Sequence, residues 1–384
     1  MNPSTIINRI QSVIGERENF TPLHIPIFDE REVTLLRECV ESNMVSSVGA
    51  FCDRFEAALV EFTGAKRAVL CVNGTSALHL ALRVAGVEPG DEVLIPSLSF
   101  VATANAVHYA GAVPHFIDVE ADRFGMDPKA LQARLEAVGE QREGGLYNRE
   151  TGRRIRCVVP MHAFGHPVLL NELLAVTKRF DLKLVEDAAE SLGSFYGEQH
   201  TGTFGDCGIL SFNGNKVITT GGGGALLFND ETMADRAKYL STTAKRPHKW
   251  EFFHDELGYN YRMPALNAAM GCAQMEKLPG MLAQKRTLAE RYQTAFADLE
   301  GVSFVTEPEG CRSNYWLNAL ILDKPDLKLR NEILEMTNSQ NIMTRPIWIP
   351  LHELPMYAES PRMELSVTES LEQRIINIPS TAGL

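Results

Sequence analysis

Lys216 stands in the run Gly205-Asp-Cys-Gly-Ile-Leu-Ser-Phe-Asn-Gly-Asn-Lys-Val-Ile-Thr-Thr-Gly-Gly-Gly-Gly-Ala-Leu-Leu-Phe228, where two apolar strand-like segments flank a polar, glycine-dense loop. Four consecutive glycines at 221–224 suit a place where the backbone must approach a ligand or another chain segment closely. A lysine normally titrates near ~10.4 and is a non-nucleophilic cation at neutral pH. It becomes reactive where a pocket lowers its pKa or a carbonyl condenses with it. Read alone, the loop is equally an ordinary tight connection carrying a solvated charge.

Three further stretches change that balance. Asn73-Gly-Thr-Ser-Ala-Leu78 reads as a glycine turn opening into a helix, which presents free N–H groups and a positive dipole end to a phosphate at Gly74, Thr75 and Ser76. Asn and Thr also cap helices for purely structural reasons. Pro96-Ser-Leu-Ser-Phe100 puts an aromatic at the end of a strand, where Phe100 is either a platform for a planar ring or core. Asp187 follows the apolar strand Lys-Leu-Val-Glu and precedes Ala188, Ala189 and Glu190. A carboxylate there holds a heteroaromatic nitrogen protonated or caps a helix. Ser211 lies five residues before Lys216, and together these positions supply a phosphate cradle, a ring-stacking aromatic, a carboxylate for a ring nitrogen and a Schiff-base lysine. Those are the four functions that pyridoxal phosphate requires. Neither the dinucleotide-binding G-x-G-x-x-G nor the phosphate-loop G-x-x-x-x-G-K-[ST] pattern occurs in the expected place.

The elements that must position these groups follow from periodicity. Apolar residues Ile6, Ile7, Ile10, Val13 and Ile14 recur at helical spacing within residues 1–20, and helices are expected at 29–42 and to about 62. From Arg67 onward strand and helix alternate, which predicts a parallel α/β sheet. Its strands are expected at 68–72, 92–95, 113–119, 155–161, 183–186, 208–212 and 225–228. Helices fit between them at 75–84, 103–110, 128–137, 171–180 and 231–239. The polar stretch 140–154 reads as a flexible surface insertion. After Trp250 the rhythm stops and a long helical pattern covers 264–299. The expected organisation is an N-terminal segment 1–25 packing on the body, a large domain 26–255 and a smaller C-terminal domain 256–384.

A net charge of -12 with no basic stripe argues against nucleic-acid binding. Seven scattered cysteines without a C-x-x-C pair suggest neither a disulfide framework nor a metal site, and they suit a reducing cytoplasm. No apolar run reaches the ~20 residues of a membrane span.

The chain resembles the DegT/DnrJ/EryC1/StrS family of sugar aminotransferases over nearly its whole length. The matching stretches are Val45-Ser-Ser-Val-Gly49, Asn73-Gly-Thr-Ser-Ala-Leu78, Pro96-Ser-Leu-Ser-Phe100, Glu186-Asp-Ala-Ala-Glu-Ser-Leu-Gly193, Ser211-Phe-Asn-Gly-Asn-Lys216, Thr219-Thr-Gly-Gly-Gly-Gly224, Gly258-Tyr-Asn-Tyr-Arg-Met263 and Pro350-Leu-His352. The resemblance implies a fold type I, aspartate-aminotransferase-like α/β subunit working as a homodimer with shared active sites. It assigns Lys216 the Schiff base, Asp187 the pyridine nitrogen, Phe100 the ring face, Glu190 the cofactor hydroxyl, and Thr75, Ser76 and Ser211 the phosphate. Asn260 is implied to reach the phosphate of the neighbouring subunit, while His162, Arg262, Tyr315 and His352 lie in segments that border the sugar or nucleotide in relatives. Many relatives have Gln in place of Glu190 and Glu in place of Gly222; both departures resemble a subgroup making bacillosamine-, legionaminic- and related amino sugars. The implied activity is glutamate-dependent amination of the C4 ketone of a nucleotide-linked 4-keto-6-deoxy sugar. The alternatives are a sugar dehydratase or other lyase, or a non-catalytic regulatory protein that binds the same cofactor. The intact Lys216 and Asp187 weigh against both, and dehydratase relatives carry histidine at the lysine position.

Overall fold

The computed structural model describes residues 2–15 and 19–384. Three helices come first, α1 (Pro3–Ile14), α2 (Glu30–Glu41) and α3 (Ala50–Thr63). From β1 (Arg67–Cys71) the chain alternates through α4 (Gly74–Val84), β2 (Glu92–Pro96), α5 (Val101–Tyr109), β3 (Val113–Ile117) and α6 (Pro128–Val138). A hairpin of β4 (Gly139–Arg142) and β5 (Gly145–Asn148) leads into β6 (Arg154–Val158), α7 (Leu170–Arg179) and β7 (Lys183–Asp187). Two short strands, β8 (Phe195–Tyr196) and β9 (Gln199–His200), precede β10 (Cys207–Ser211), β11 (Gly224–Phe228) and α8 (Glu231–Ser241).

The main path of the sheet runs β1-β11-β10-β7-β6-β2-β3. Its strands are apolar on both faces because helices cover both: β2 is buried throughout and β7 at every residue but its first. Neighbours from β10 to β3 pair in parallel, whereas β11 is antiparallel to both β1 and β10. The sheet is therefore mostly parallel, and β11 is the exception on this path because of its connectivity. Parallel neighbours need a crossover of a dozen or more residues, usually a helix, but the segment 212–223 carries no helix and returns directly alongside β10.

The stretch 140–154 is not a flexible surface insertion. It is an ordered hairpin whose second strand extends the sheet, with Leu146 opposite Ile155 and Tyr147 opposite Arg154. Its polar residues are not all solvent-facing, since Asn148 Nδ2 and Thr151 Oγ1 donate to the buried Glu92 carboxylate at 2.9 and 2.5 Å.

Beyond the sheet, α9 (Ala265–Phe296) occupies the expected long helix and packs along α2 and α3. Then come β12 (Val302–Phe304), β13 (Cys311–Arg312), β14 (Asn318–Leu322), α10 (Leu327–Ser339), β15 (Arg345–Pro346), α11 (Ser366–Glu372) and β16 (Ile375–Ile378). An antiparallel sheet orders these as β12-β14-β16-β15, while β13 pairs with β8 and so ties this part of the chain to the loop after β7. Helix α1 buries Ile6, Ile7, Ile10, Val13 and Ile14 in a cluster that includes Leu288 and Tyr292 of α9 and Ile333 of α10. The rest of the expected N-terminal helical stretch, residues 1 and 16–18, lies outside the described residues. Among those described, no helix is long and apolar enough to cross a membrane and no acidic, His or Cys cluster is suited to a metal.

Candidate active site

The carboxyl ends of β1, β2, β7 and β10 converge, as ligand sites of open α/β sheets require. Between them lies a cavity of about 250 Å³ whose wall includes Gly74, Thr75, Phe100, Asp187, Glu190, Ser211 and Lys216. Asn73 caps α4 by accepting the Ser76 N–H at 2.8 Å. This fixes the first turn, with Gly74 and Thr75 on the cavity wall. Glycine is needed at both seams of this corner: a Cβ on Gly74 would sit 2.9 Å from the Ser211 Cβ, and one on Gly224 would meet the Asn73 backbone at 2.6 Å. Gly74 and Gly224 thus let the end of β10, the start of β11 and the start of α4 close into one cradle. Asn267 locks the loop by donating to the carbonyls of Thr220 and Gly222.

Phe100, at the N-cap of α5, is 50% exposed, so it is not core. Asp187, by contrast, is 5% exposed. Its Oδ2 accepts the Thr103 hydroxyl at 2.8 Å and its Oδ1 the Ala189 N–H at 3.2 Å. Burial nevertheless pushes its pKa up, opposed by these bonds and by Lys216. Glu190 is equally buried and raised for the same first reason. Its Oε2 accepts the Phe164 N–H at 2.9 Å, and its Oε1 faces Lys216 Nζ at 3.1 Å. Lys216 Nζ also lies 3.8 Å from the centroid of the Trp316 ring, a cation–π distance.

Nothing in the local sequence points to Trp316 as a site residue. It comes from the segment between β13 and β14, donates its indole N–H to the Asn215 carbonyl at 2.6 Å, and is held by Asn314, whose side chain also bonds the carbonyls of Glu190 and Leu192. A hundred residues separate Trp316 from Lys216, and no local pattern links them.

Four residues expected at the substrate behave differently. His162 does not reach the cavity: it is wholly buried, its Nδ1 accepts the Val168 N–H, and its Nε2 lies 3.1 Å from Glu186 Oε2. Tyr315 is likewise buried, with its hydroxyl accepting the Glu307 N–H. His352 Nδ1 pairs with Ser97 Oγ at 2.8 Å behind the end of β2. Arg262 donates to the Ser47 carbonyl and borders a separate depression that includes Asn260, Lys245 and Phe252. Asn260 is exposed there, not at the cavity of its own chain.

The model of the DegT/DnrJ/EryC1/StrS aminotransferase family matches residues 26–384. The chain belongs to this family. It is 37% identical to the putative pyridoxal phosphate-dependent aminotransferase EpsN of Bacillus subtilis (strain 168), over 94% of this chain and 90% of that one. It is 33% identical to the GDP-perosamine synthase of Caulobacter vibrioides, covering 94% and 92%. Among solved structures, the aminotransferase TlmJ from Streptoalloteichus hindustanus superposes with a TM-score of 0.86 at 27% identity, covering 95% of each chain. As a family member it is a pyridoxal-phosphate-dependent sugar aminotransferase. The residues present fit that cofactor: a cradle that a Cβ would fill, a half-exposed aromatic, a buried carboxylate and a lysine amine all face one cavity.

Proposed function

We propose that this chain transfers an amino group from glutamate to the C4 ketone of a nucleotide-linked 4-keto-6-deoxy sugar, yielding a 4-amino-4,6-dideoxy sugar nucleotide in the cytoplasm. The observation that carries this reading is that the Lys216 amine and the Asp187 carboxylate line one cavity. The name of the GDP-perosamine synthase relative supports a nucleotide-linked sugar.

When bound, pyridoxal phosphate supplies an electron sink next to the amino group in transit. With the cofactor bound, Lys216 would hold it and, once free, would serve as general base and then general acid for the proton on the donor's α-carbon. Asp187 would pair with the ring nitrogen, and Phe100 would pack against the ring. Gly74, Thr75, Ser76 and Ser211 bind the phosphate at the N-terminus of α4, and Glu190 takes the hydroxyl side. Asn260 and Arg262, which share a depression apart from the cavity of their own chain, serve the site of a second copy in a homodimer.

The test is incubation with glutamate and UDP-, GDP- or dTDP-linked 4-keto-6-deoxy sugars, with mass detection of an amino sugar nucleotide and 2-oxoglutarate. Transamination of free keto acids with no sugar nucleotide accepted would overturn the substrate class. Shared sites are tested by refolding Lys216→Ala with an inactive Asn260 variant in equal amounts. Half the dimers are then mixed, each with one intact site of two, so about a quarter of wild-type activity returns. No recovery despite subunit exchange would place Asn260 within its own site.

A further inference from the structure

Two buried hydroxyls stand behind Asp187. Thr103 is 1% exposed on the first turn of α5, and Ser99 is fully buried in the link from β2. Thr103 Oγ1 lies 2.8 Å from Asp187 Oδ2, and Ser99 Oγ lies 2.8 Å from Thr103 Oγ1. The direction of this chain is fixed by valence. An ionised carboxylate only accepts and each hydroxyl has one hydrogen, so Thr103 donates to Asp187 and Ser99 donates to Thr103. Such a series polarises its terminal donor.

The other groups near Asp187 do not duplicate this bond. Lys216 acts on it from the loop after β10 and His162 from the segment after β6, both through space, while Glu190, in the turn after β7, is a second carboxylate. Only the Ala189 N–H, on the other oxygen, also bonds the carboxylate among the described residues, at 3.2 Å.

We propose that Thr103, oriented and polarised by Ser99, is a positioning residue that keeps Asp187 the weaker base in its pairing with the cofactor's ring nitrogen. The shared proton then stays on the nitrogen, where it makes the ring an electron sink, and does not move onto the carboxylate. No bond other than that to the proton changes. The inference rests on Asp187 being the partner of the ring nitrogen.

The test loads the enzyme with pyridoxal phosphate labelled with ¹⁵N in the ring and reads the nitrogen chemical shift by NMR. Wild type should give a pyridinium signal. Thr103→Val should move it toward neutral pyridine and slow the glutamate half-reaction roughly tenfold, the equivalent of about one pKa unit, with KM little changed; Thr103→Ser should restore both. A Thr103 that only packs α5 would alter the melting temperature and leave the shift in place, and an unchanged shift in Thr103→Val overturns the proposal. Should that variant not fold, Ser99→Ala decides, because it keeps the Thr103 bond and should produce a smaller displacement in the same direction; no displacement overturns the proposal equally. Asp187→Asn separates the two levels. If its ring nitrogen stays protonated, the assignment of Asp187 itself is wrong.

Discussion

Glu186 and Asp187 are neighbours on β7, both buried, and the two faces of the sheet treat them oppositely. Behind the sheet, Glu186 accepts the N–H groups of Gly202, Phe204 and Gly205 at 2.7 to 2.9 Å and pairs with His162. Burial alone would raise its pKa, yet this set of partners holds it below the usual glutamate value. On the cavity side Asp187 has two hydrogen-bond donors and burial prevails, so its pKa is raised. Glu92, at the opposite end of β2, repeats the first solution with His115, Asn148 and Thr151 and is also lowered. A buried carboxylate surrounded by donors holds the chain together. One left partly unsatisfied at a cavity is available to a ligand.

Lys216→Ala should abolish covalent cofactor attachment, read as the absence of a reduced adduct by mass spectrometry after borohydride treatment, while melting stays close to wild type. An adduct of normal yield would move the Schiff base to another lysine. On the structural side, Glu186→Gln should cost about 3 kcal/mol in urea unfolding, because backbone donors that converge on a carboxylate then face an amide. A loss under 1 kcal/mol would mean that the donor cage is replaceable.

Asp187→Asn should reverse that pattern, lowering turnover on the order of a hundredfold without lowering the stability of the cofactor-free protein, since it removes a charge that folding disfavours. Turnover like wild type would give the ring nitrogen to another group. The same contrast has a pH signature. Depressed folded-state pKa values at Glu186 and Glu92 contribute stability that is complete above the ordinary value of 4.5 and disappears as pH falls through the folded values. Asp187 and Glu190, being raised, act with the opposite sign: their ionised forms are disfavoured by folding, so their share of stability declines as pH rises past their ordinary values. From pH 7 downward, urea-unfolding stability should therefore fall less steeply than wild type in Glu186→Gln and more steeply in Asp187→Asn. The smallest effect is expected at Thr151→Val, which removes one of the donors to Glu92 and should cost about 1.5 kcal/mol by the same measurement.

Groups whose job is set by the backbone around them were readable from the chain. Asn73-Gly74-Thr75, Asp187 and Lys216 each follow a strand, and in an open α/β sheet strand ends gather at one edge, so their sequence positions already placed them together. The long helix α9 and the α/β alternation were legible for the same reason: periodicity is local. What the sequence did not determine were the relations between distant side chains. Trp316 beneath Lys216, the Ser99–Thr103 series behind Asp187 and the Glu92 cluster each join elements that have no neighbouring pattern. His162 shows the converse, because a histidine after a strand has the same local signature whether it faces the cavity or, as here, turns behind the sheet to Glu186. The antiparallel β11 and the ordered 140–154 hairpin were likewise decided by pairing, which depends on which edge is free when the chain returns. Local propensity and strand order fixed where the chemistry sits; burial and hydrogen-bond partners, which exist only after folding, decided which buried carboxylate stabilises and which remains available.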